Sequence, residues 1–357
     1  MSGANLYRFA IVGAGMIAEW HARAIAELPN AELTAVCDHG SGKAGRVGPR
    51  CECRNGCDLE RLLARDDVDV VAVATPSGTH AQIAEQAARH GKHCLVEKPL
   101  DVTLEAVDRM IAAHERAGTF LGGIFNQRYT ATAQLLKQAV EAGRFGRLTF
   151  GTAYCPWWRD QAYYDEGGWK GTQTLDGGGA MMNQGIHAID LLQWLMGPVK
   201  RVTAMTGTLA HERIDVEDTG VAAVEFRNGA LGLIACTTSM YPGHFRMVEV
   251  AGVDGTVSLA DSNFLCWQFR REAPEDRRIQ TEHRGLPPTS LGAADPSAGF
   301  TVDSHRENFA AFLSALEAAT PPAIDGREAR KAVEIVLAIY ESARRGGAPV
   351  ELSAPSP

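Results

Sequence analysis

Residues 8–18 read RFAIVGAGMIA, and this stretch decides the fold. After Arg8, residues 9–12 are a short apolar run, as a buried strand requires. It passes directly into Gly13, Ala14 and Gly15, and then into Met16, Ile17, Ala18, Ala22, Ile25 and Leu28 at helical spacing. Gly13, Gly15 and Ala18 form a G-x-G-x-x-A pattern between that strand and that helix. The first glycine permits a tight turn, the second lets a pyrophosphate approach the backbone, and the third small residue lets helix and strand pack closely. The helix start adds free N–H groups and the positive end of a dipole. Asp38 closes a second strand 20 residues past Ala18, where a ribose-binding carboxylate belongs. A carboxylate there accepts from ribose hydroxyls and repels a 2′-phosphate, so NAD is expected rather than NADP. His39 and Lys43 pull the other way.

Working outward, strand-like runs at 68–76, 93–99 and 119–126 alternate with helical segments at 58–66, 80–91 and 104–118. That alternation predicts βαβ units and a parallel, doubly wound sheet over residues 1–125. Beyond it the grammar changes. Residues 148–155 and 200–270 hold several strand-like runs in succession, with turn signals at Asn228-Gly229 and Asp254-Gly255. Residues 126–357 are therefore expected to form an α+β domain on a large, mostly antiparallel open sheet. Two helical segments, 303–319 and 326–345, close it, and 272–300 is expected to be an exposed loop.

The 357-residue chain is long enough for two domains, and 45% hydrophobic against 22% charged residues suits an ordinary globular protein. A formal net charge of −8 argues against nucleic acid and anionic membrane as partners. No apolar run approaches the roughly 18 residues of a membrane span, and the N-terminus lacks a signal pattern, so a cytoplasmic protein is expected. The eight cysteines are expected to be free thiols. Cys51, Cys53 and Cys57 lack the paired spacing of a zinc site, so no metal is expected.

Two further stretches carry chemistry. One is TPSGTHAQIAEQAARHGKHCLVEKPL, residues 75–100, with Glu97-Lys98-Pro99 following a strand. The other is GGGAMMNQGIHAIDLL, residues 177–192. Here Asn183, His187 and Asp190 recur at i, i+4 and i+7, one polar line on an otherwise apolar helix. Buried polar groups need partners, so Asp190 is read as a structural one. The three glycines are expected to allow close backbone approach to a substrate or nicotinamide. Residues 155–172, CPWWRDQAYYDEGGWKGT, combine aromatic rings with Arg159 and Lys170, which suits a sugar ring or a packed loop.

On these motifs the chain resembles the glucose–fructose oxidoreductase, inositol dehydrogenase and rhizopine-catabolism (Gfo/Idh/MocA) family, from residue 8 to about 352. The resemblance implies an NAD(P)-dependent oxidoreductase acting on a secondary alcohol of a sugar, sugar derivative or cyclitol, assembled as a homodimer or homotetramer through one sheet face. It implies that Gly13, Gly15, Met16 and Ile17 touch the pyrophosphate and Asp38 the ribose. Thr75, Pro76, His80 and Glu97 fall on the cofactor side. Lys98 would meet both the nicotinamide ribose and the reacting hydroxyl, and His187 would be the acid/base residue. Arg128, Tyr164, Trp169, Lys170, Asn183 and Tyr241 are substrate-side candidates. Many members carry aspartate where this chain has Asn183; asparagine cannot hold a charge beside the imidazole. Asn183 is therefore expected to orient substrate while Lys98 and His187 manage the proton. The alternatives are an NAD-using glycosidase and a nucleotide-sugar uronate 3-dehydrogenase. No compact basic cluster announces a phosphate pocket, which favours a free sugar or inositol.

Overall fold

The computed structural model describes residues 5–38, 47, 58–286 and 302–353. His39, Lys43 and the Cys51, Cys53, Cys57 cluster lie outside the described residues. The chain forms two compact units.

The first unit is built on a five-stranded parallel sheet in the order β2-β1-β3-β4-β5. Its strands are β1 (Tyr7–Val12), β2 (Ala31–Cys37), β3 (Val70–Val73), β4 (His93–Val96) and β5 (Leu121–Gly123). β3 is buried along its whole length, as a strand covered on both faces must be. Helix α1 (Met16–Ala26) follows β1 and turns Ala18, His21, Ala24 and Ile25 inward. The helix Val302–Glu317 also belongs to this unit, with residues 301–330. Phe309, Phe312 and Leu313 join the core around Phe9, Ile11 and Leu95. The single cut at residue 125/126 expected from sequence is thus corrected: the chain returns to the first unit before its end. An amphipathic helix declares its apolar face, but not which core that face will join.

The second unit comprises residues 127–300 and 331–357. Its eight-stranded sheet runs β12-β11-β10-β6-β9-β8-β7-β13. The strands are β6 (Leu148–Pro156), β7 (Val199–Gly207), β8 (Thr219–Phe226), β9 (Leu231–Thr237), β10 (Met247–Gly252), β11 (Gly255–Ala260), β12 (Asn263–Phe269) and β13 (Val350–Glu351). All pairings are antiparallel except β6 with β9. The β8–β9 hairpin turns at Gly229, φ +86°, with Asn228 Oδ1 accepting from Ala230 N at 3.0 Å. The helix Ile186–Met196 lies on one face, so close that a Cβ on Gly151 would stand 2.7 Å from Met196 Cγ. Within the expected 272–300 loop, Asp276–His283 is helical.

Cys37 is disulfide-bonded, which corrects the expectation of free thiols, while Cys94, Cys155, Cys236 and Cys266 form no disulfide. Cysteine spacing alone does not fix the Cα separation a disulfide needs. Among the described residues, no helix is long and apolar enough to cross a membrane.

Candidate active site

The turn after β1 has the shape a dinucleotide requires. Gly13 takes φ +103°, and a Cβ there would run into the Ala74 carbonyl. Its N–H donates to Cys37 O at 2.8 Å, tying the turn to the end of β2 beside Asp38. Gly15 caps α1 without a side-chain hydrogen bond, and space is open around its Cβ position. Met16, at the first helical position, is 48% exposed. A tight glycine turn, an uncovered helix N-terminus and a carboxylate at the β2 end fit NAD. Gly13, Gly15, Met16 and Ile17 would hold its pyrophosphate and Asp38 its ribose.

Behind β3 and β4 the side chains brace backbone. Both His80 nitrogens face carbonyls, Nδ1 with Pro99 O at 2.9 Å and Nε2 with Thr75 O at 2.8 Å. His80 is 1% exposed, so it holds Thr75 and Pro99 in place. Thr75 Oγ1 accepts from Thr79 Oγ1. Glu97, at the β4 end, is buried, with Oε1 2.8 Å from His21 Nε2 and Oε2 accepting from Lys98 N at 3.0 Å. Lys98 itself is half-buried.

In the second unit the glycine triplet opens a π-helix, Ala180–Gly185, which continues into the helix Ile186–Met196. Asn183 therefore lies in the π turn and His187 in the α-helix, so the regular i, i+4, i+7 stripe read from sequence is corrected. A π turn closes i→i+5 bonds and rotates what precedes it. Asn183 and His187 keep partial exposure, and Asp190 is buried. The glycines admit the protein's own backbone and side chains, which answers the expectation of a ligand there. A Cβ on Gly178 would meet Tyr340 Oη, and one on Gly179 would meet the Glu217 carbonyl. Glu217 accepts from Gly179 N at 3.1 Å, Met181 N at 2.7 Å and Tyr340 Oη at 2.9 Å. Burial raises its pKa against those donors.

A polar chain runs through Asn183. Its Nδ2 donates to Asp176 Oδ1 at 2.5 Å, and its Oδ1 accepts from Gln184 Nε2 at 3.1 Å. Gln184 also donates to Tyr163 Oη and accepts from Arg159 Nη2, both at 2.8 Å. Asp176 is fully buried, and its other oxygen accepts from Gly171 N. Arg159 is 3% exposed and lies over the Trp157 and Tyr163 rings. Burial lowers its pKa. Lys170 Nζ sits 4.1 Å from the Tyr163 ring centre and 3.4 Å from Glu166. Trp169 is partly exposed beside it.

Three substrate-side candidates have other surroundings. Arg128, expected at the substrate, makes a buried two-bond pair with Asp190, at 2.7 and 2.6 Å. Two fully desolvated charges hold each other, so Asp190 is the structural partner expected. Tyr164 is buried, its hydroxyl 2.8 Å from Thr238 Oγ1. Tyr241 is 77% exposed, edge-on to Trp158.

Sequence reasoning missed His21, His305, Asp176 and Glu217. His21 occupies an inward α1 position beside Ala18 and Ile25, and a histidine at a core position was the available signal. Asp176 carried none, because its burial depends on distant packing.

Residues 7–123 match the oxidoreductase family with an NAD-binding Rossmann fold, and residues 133–258 match the GFO/IDH/MocA C-terminal domain. The inositol 2-dehydrogenase of Rhizobium meliloti is 30% identical, over 70% of this chain and 74% of its own. The myo-inositol 2-dehydrogenase of Thermotoga maritima is 27% identical, over 94% and 96%. The WlbA dehydrogenase of Bordetella pertussis, solved with NADH and UDP-GlcNAcA, superposes with a TM-score of 0.86. It is 35% identical, with 98% of each chain covered. The chain belongs to the Gfo/Idh/MocA family of oxidoreductases, and its first unit is an NAD-binding Rossmann domain.

Proposed function

We propose that this enzyme oxidises a secondary alcohol of a sugar, sugar derivative or cyclitol with NAD. The observation that carries the reading is full-length similarity to dehydrogenases of those substrates, together with the open glycine turn at 13–15. NAD, when bound, supplies the hydride acceptor. His187 takes the hydroxyl proton, the general-base role an imidazole can fill. Lys98 stabilises the developing negative charge on oxygen. Glu97 and His80 hold the backbone on either side of Lys98. Asn183, fixed between Asp176 and Gln184, orients the π turn one turn ahead of His187.

A second reading narrows the substrate to a nucleotide-linked uronate. It is supported by the 35% identity to a dehydrogenase solved with UDP-GlcNAcA. The buried Arg159 guanidinium, whose Nη1 and Nη2 donate to Trp158 O and Gln184 Oε1, supplies positive charge suited to a carboxylate. We also place a second copy of this chain on the exposed face of the eight-stranded sheet.

The test is NADH formation from NAD⁺ with inositols, aldoses, anhydrosugars, glycosides and UDP-sugar acids, alongside Lys98→Ala and His187→Ala. We expect turnover on one class, reduced at least about a hundredfold in each variant. No NADH from any class, with cofactor retained through purification, would instead support the NAD-using glycosidase.

A further inference from the structure

The first unit buries three ionisable side chains from three separate elements against one another: His21 on α1, Glu97 at the end of β4 and His305 on the helix Val302–Glu317. Their exposures are 0%, 8% and 2%. Such groups are costly to bury without a purpose or a partner. Their donor atoms all lie within 4.8 Å of one another, which raises the question of a metal. The geometry argues against one. Ligands on a common tetrahedral ion with bonds of about 2.1 Å stand roughly 3.4 Å apart. His21 Nε2 and Glu97 Oε1 are 2.8 Å apart, which is a hydrogen bond. His21 Nδ1 is buried with no hydrogen-bond partner, whereas a metal-bound histidine normally passes its second nitrogen to an acceptor.

The cluster instead leads to Lys98. Glu97 divides its two oxygens between His21 and the Lys98 N–H. We propose that His21 is a positioning residue that acts on Lys98 through Glu97, so that the helix bearing the cofactor turn and the strand end bearing the charge-stabilising lysine are held by one hydrogen-bonded pair. This rests on the reading of Lys98 as a residue of the reaction. The groups facing Glu97 are His21, His305 and Lys98, with the neutral Asn126 and Ser304 beside His305. Phe309 packs on the His21 ring, with 5.3 Å between centroids. Burial pushes the Glu97 pKa up, but the His21 hydrogen bond and the charges of His21, His305 and Lys98 outweigh it and hold the group at about 2. Glu97 is therefore an anion at neutral pH, one residue from Lys98, and an anion there favours the lysine's ammonium form.

The test reads Lys98 directly, without a substrate. The full-length protein is treated with a small excess of acetic anhydride near pH 8, and the rate of Lys98 acetylation is followed by peptide mass spectrometry. Only the neutral amine reacts. Glu97→Gln removes the anion while keeping the shape, and is expected to speed Lys98 labelling about tenfold, one unit of lysine pKa. His21→Leu removes the donor that positions the Glu97 carboxylate and should change the labelling rate at least about threefold. His21→Gln restores a donor and should return the rate to within about twofold of the parent. A folded His21→Leu protein that labels at the parent rate overturns the proposal. If His21→Leu does not fold, Glu97→Gln at the parent rate overturns it. Loss of the reading it rests on looks different: Lys98→Ala would retain NADH formation while the labelling shifts remained.

Discussion

Asn183 spends its side chain inside the protein, donating to a fully buried Asp176 at 2.5 Å and accepting from Gln184. The carboxylate at this π turn is held by Asp176, in hydrogen-bond contact with Asn183. The consequence is specific. Asn183→Asp would set two carboxylates in hydrogen-bond contact, one of them fully buried, where both cannot readily stay ionised. The variant should lose stability, with Tm lower by about 5 °C or more, and should gain no activity. Adding Asp176→Asn restores a donor–acceptor pair and should recover at least half of that loss, a coupling that a double-mutant cycle reads by thermal unfolding. A stable Asn183→Asp enzyme with turnover raised more than about tenfold would show that asparagine is not tuned to its neighbour.

At the scale of the element, the π-helix explains the glycines. Its first N–H groups are capped from a strand-end carboxylate, Glu217, and the backbone carrying that carboxylate presses on Gly179. Gly179→Ala forces a Cβ into a main-chain carbonyl that cannot swing aside. It should cost several kcal/mol, about 3 or more, in urea unfolding. Gly143→Ala is the control. Gly143 has φ +68° but nothing within 4 Å of its Cβ position, so the change should cost only the left-handed strain of about 1 kcal/mol. Equal losses would remove the packing argument. This element also marks where sequence stops being legible. The β1–α1 turn could be read because its glycines, strand and helix are neighbours in the chain. The π turn could not, since an apolar run such as Ala180–Met182 satisfies an α- or a π-helix equally, and the choice is made by Glu217 and Tyr340, far along the chain. His21 hides for a related reason: a single histidine among inward alanines gives no hint of the carboxylate 76 residues away. Arg128 looked available to a substrate until packing paired it with Asp190, 62 residues away.

At the scale of the whole molecule, the described residues of the second unit leave an apolar sheet face exposed. Along β8 and β9 residues alternate, with Ala222, Val224, Gly232 and Ile234 buried and Val221, Leu231 and Leu233 facing outward. Phe150 of β6 pairs with Leu231, and Met205 of β7 pairs with Val221, which extends the outward row across four strands. These five side chains are 45%, 69%, 39%, 58% and 44% exposed in the order Phe150, Met205, Val221, Leu231, Leu233. A half-buried sheet normally turns polar residues to water, and a contiguous apolar face of this kind marks a protein contact. An exposed apolar sheet face suits a second copy of the chain about a two-fold axis. Light scattering on the purified enzyme should give a mass at least twice the 38.4 kDa of the chain. Leu231→Asp places a charge on this face and should shift the mass to that of one chain. NAD⁺ binding should stay within about threefold of the parent, because the cofactor turn is built within the other unit. A parent enzyme that is already monomeric at micromolar concentration would end the proposal of a second copy and leave this face to a different partner.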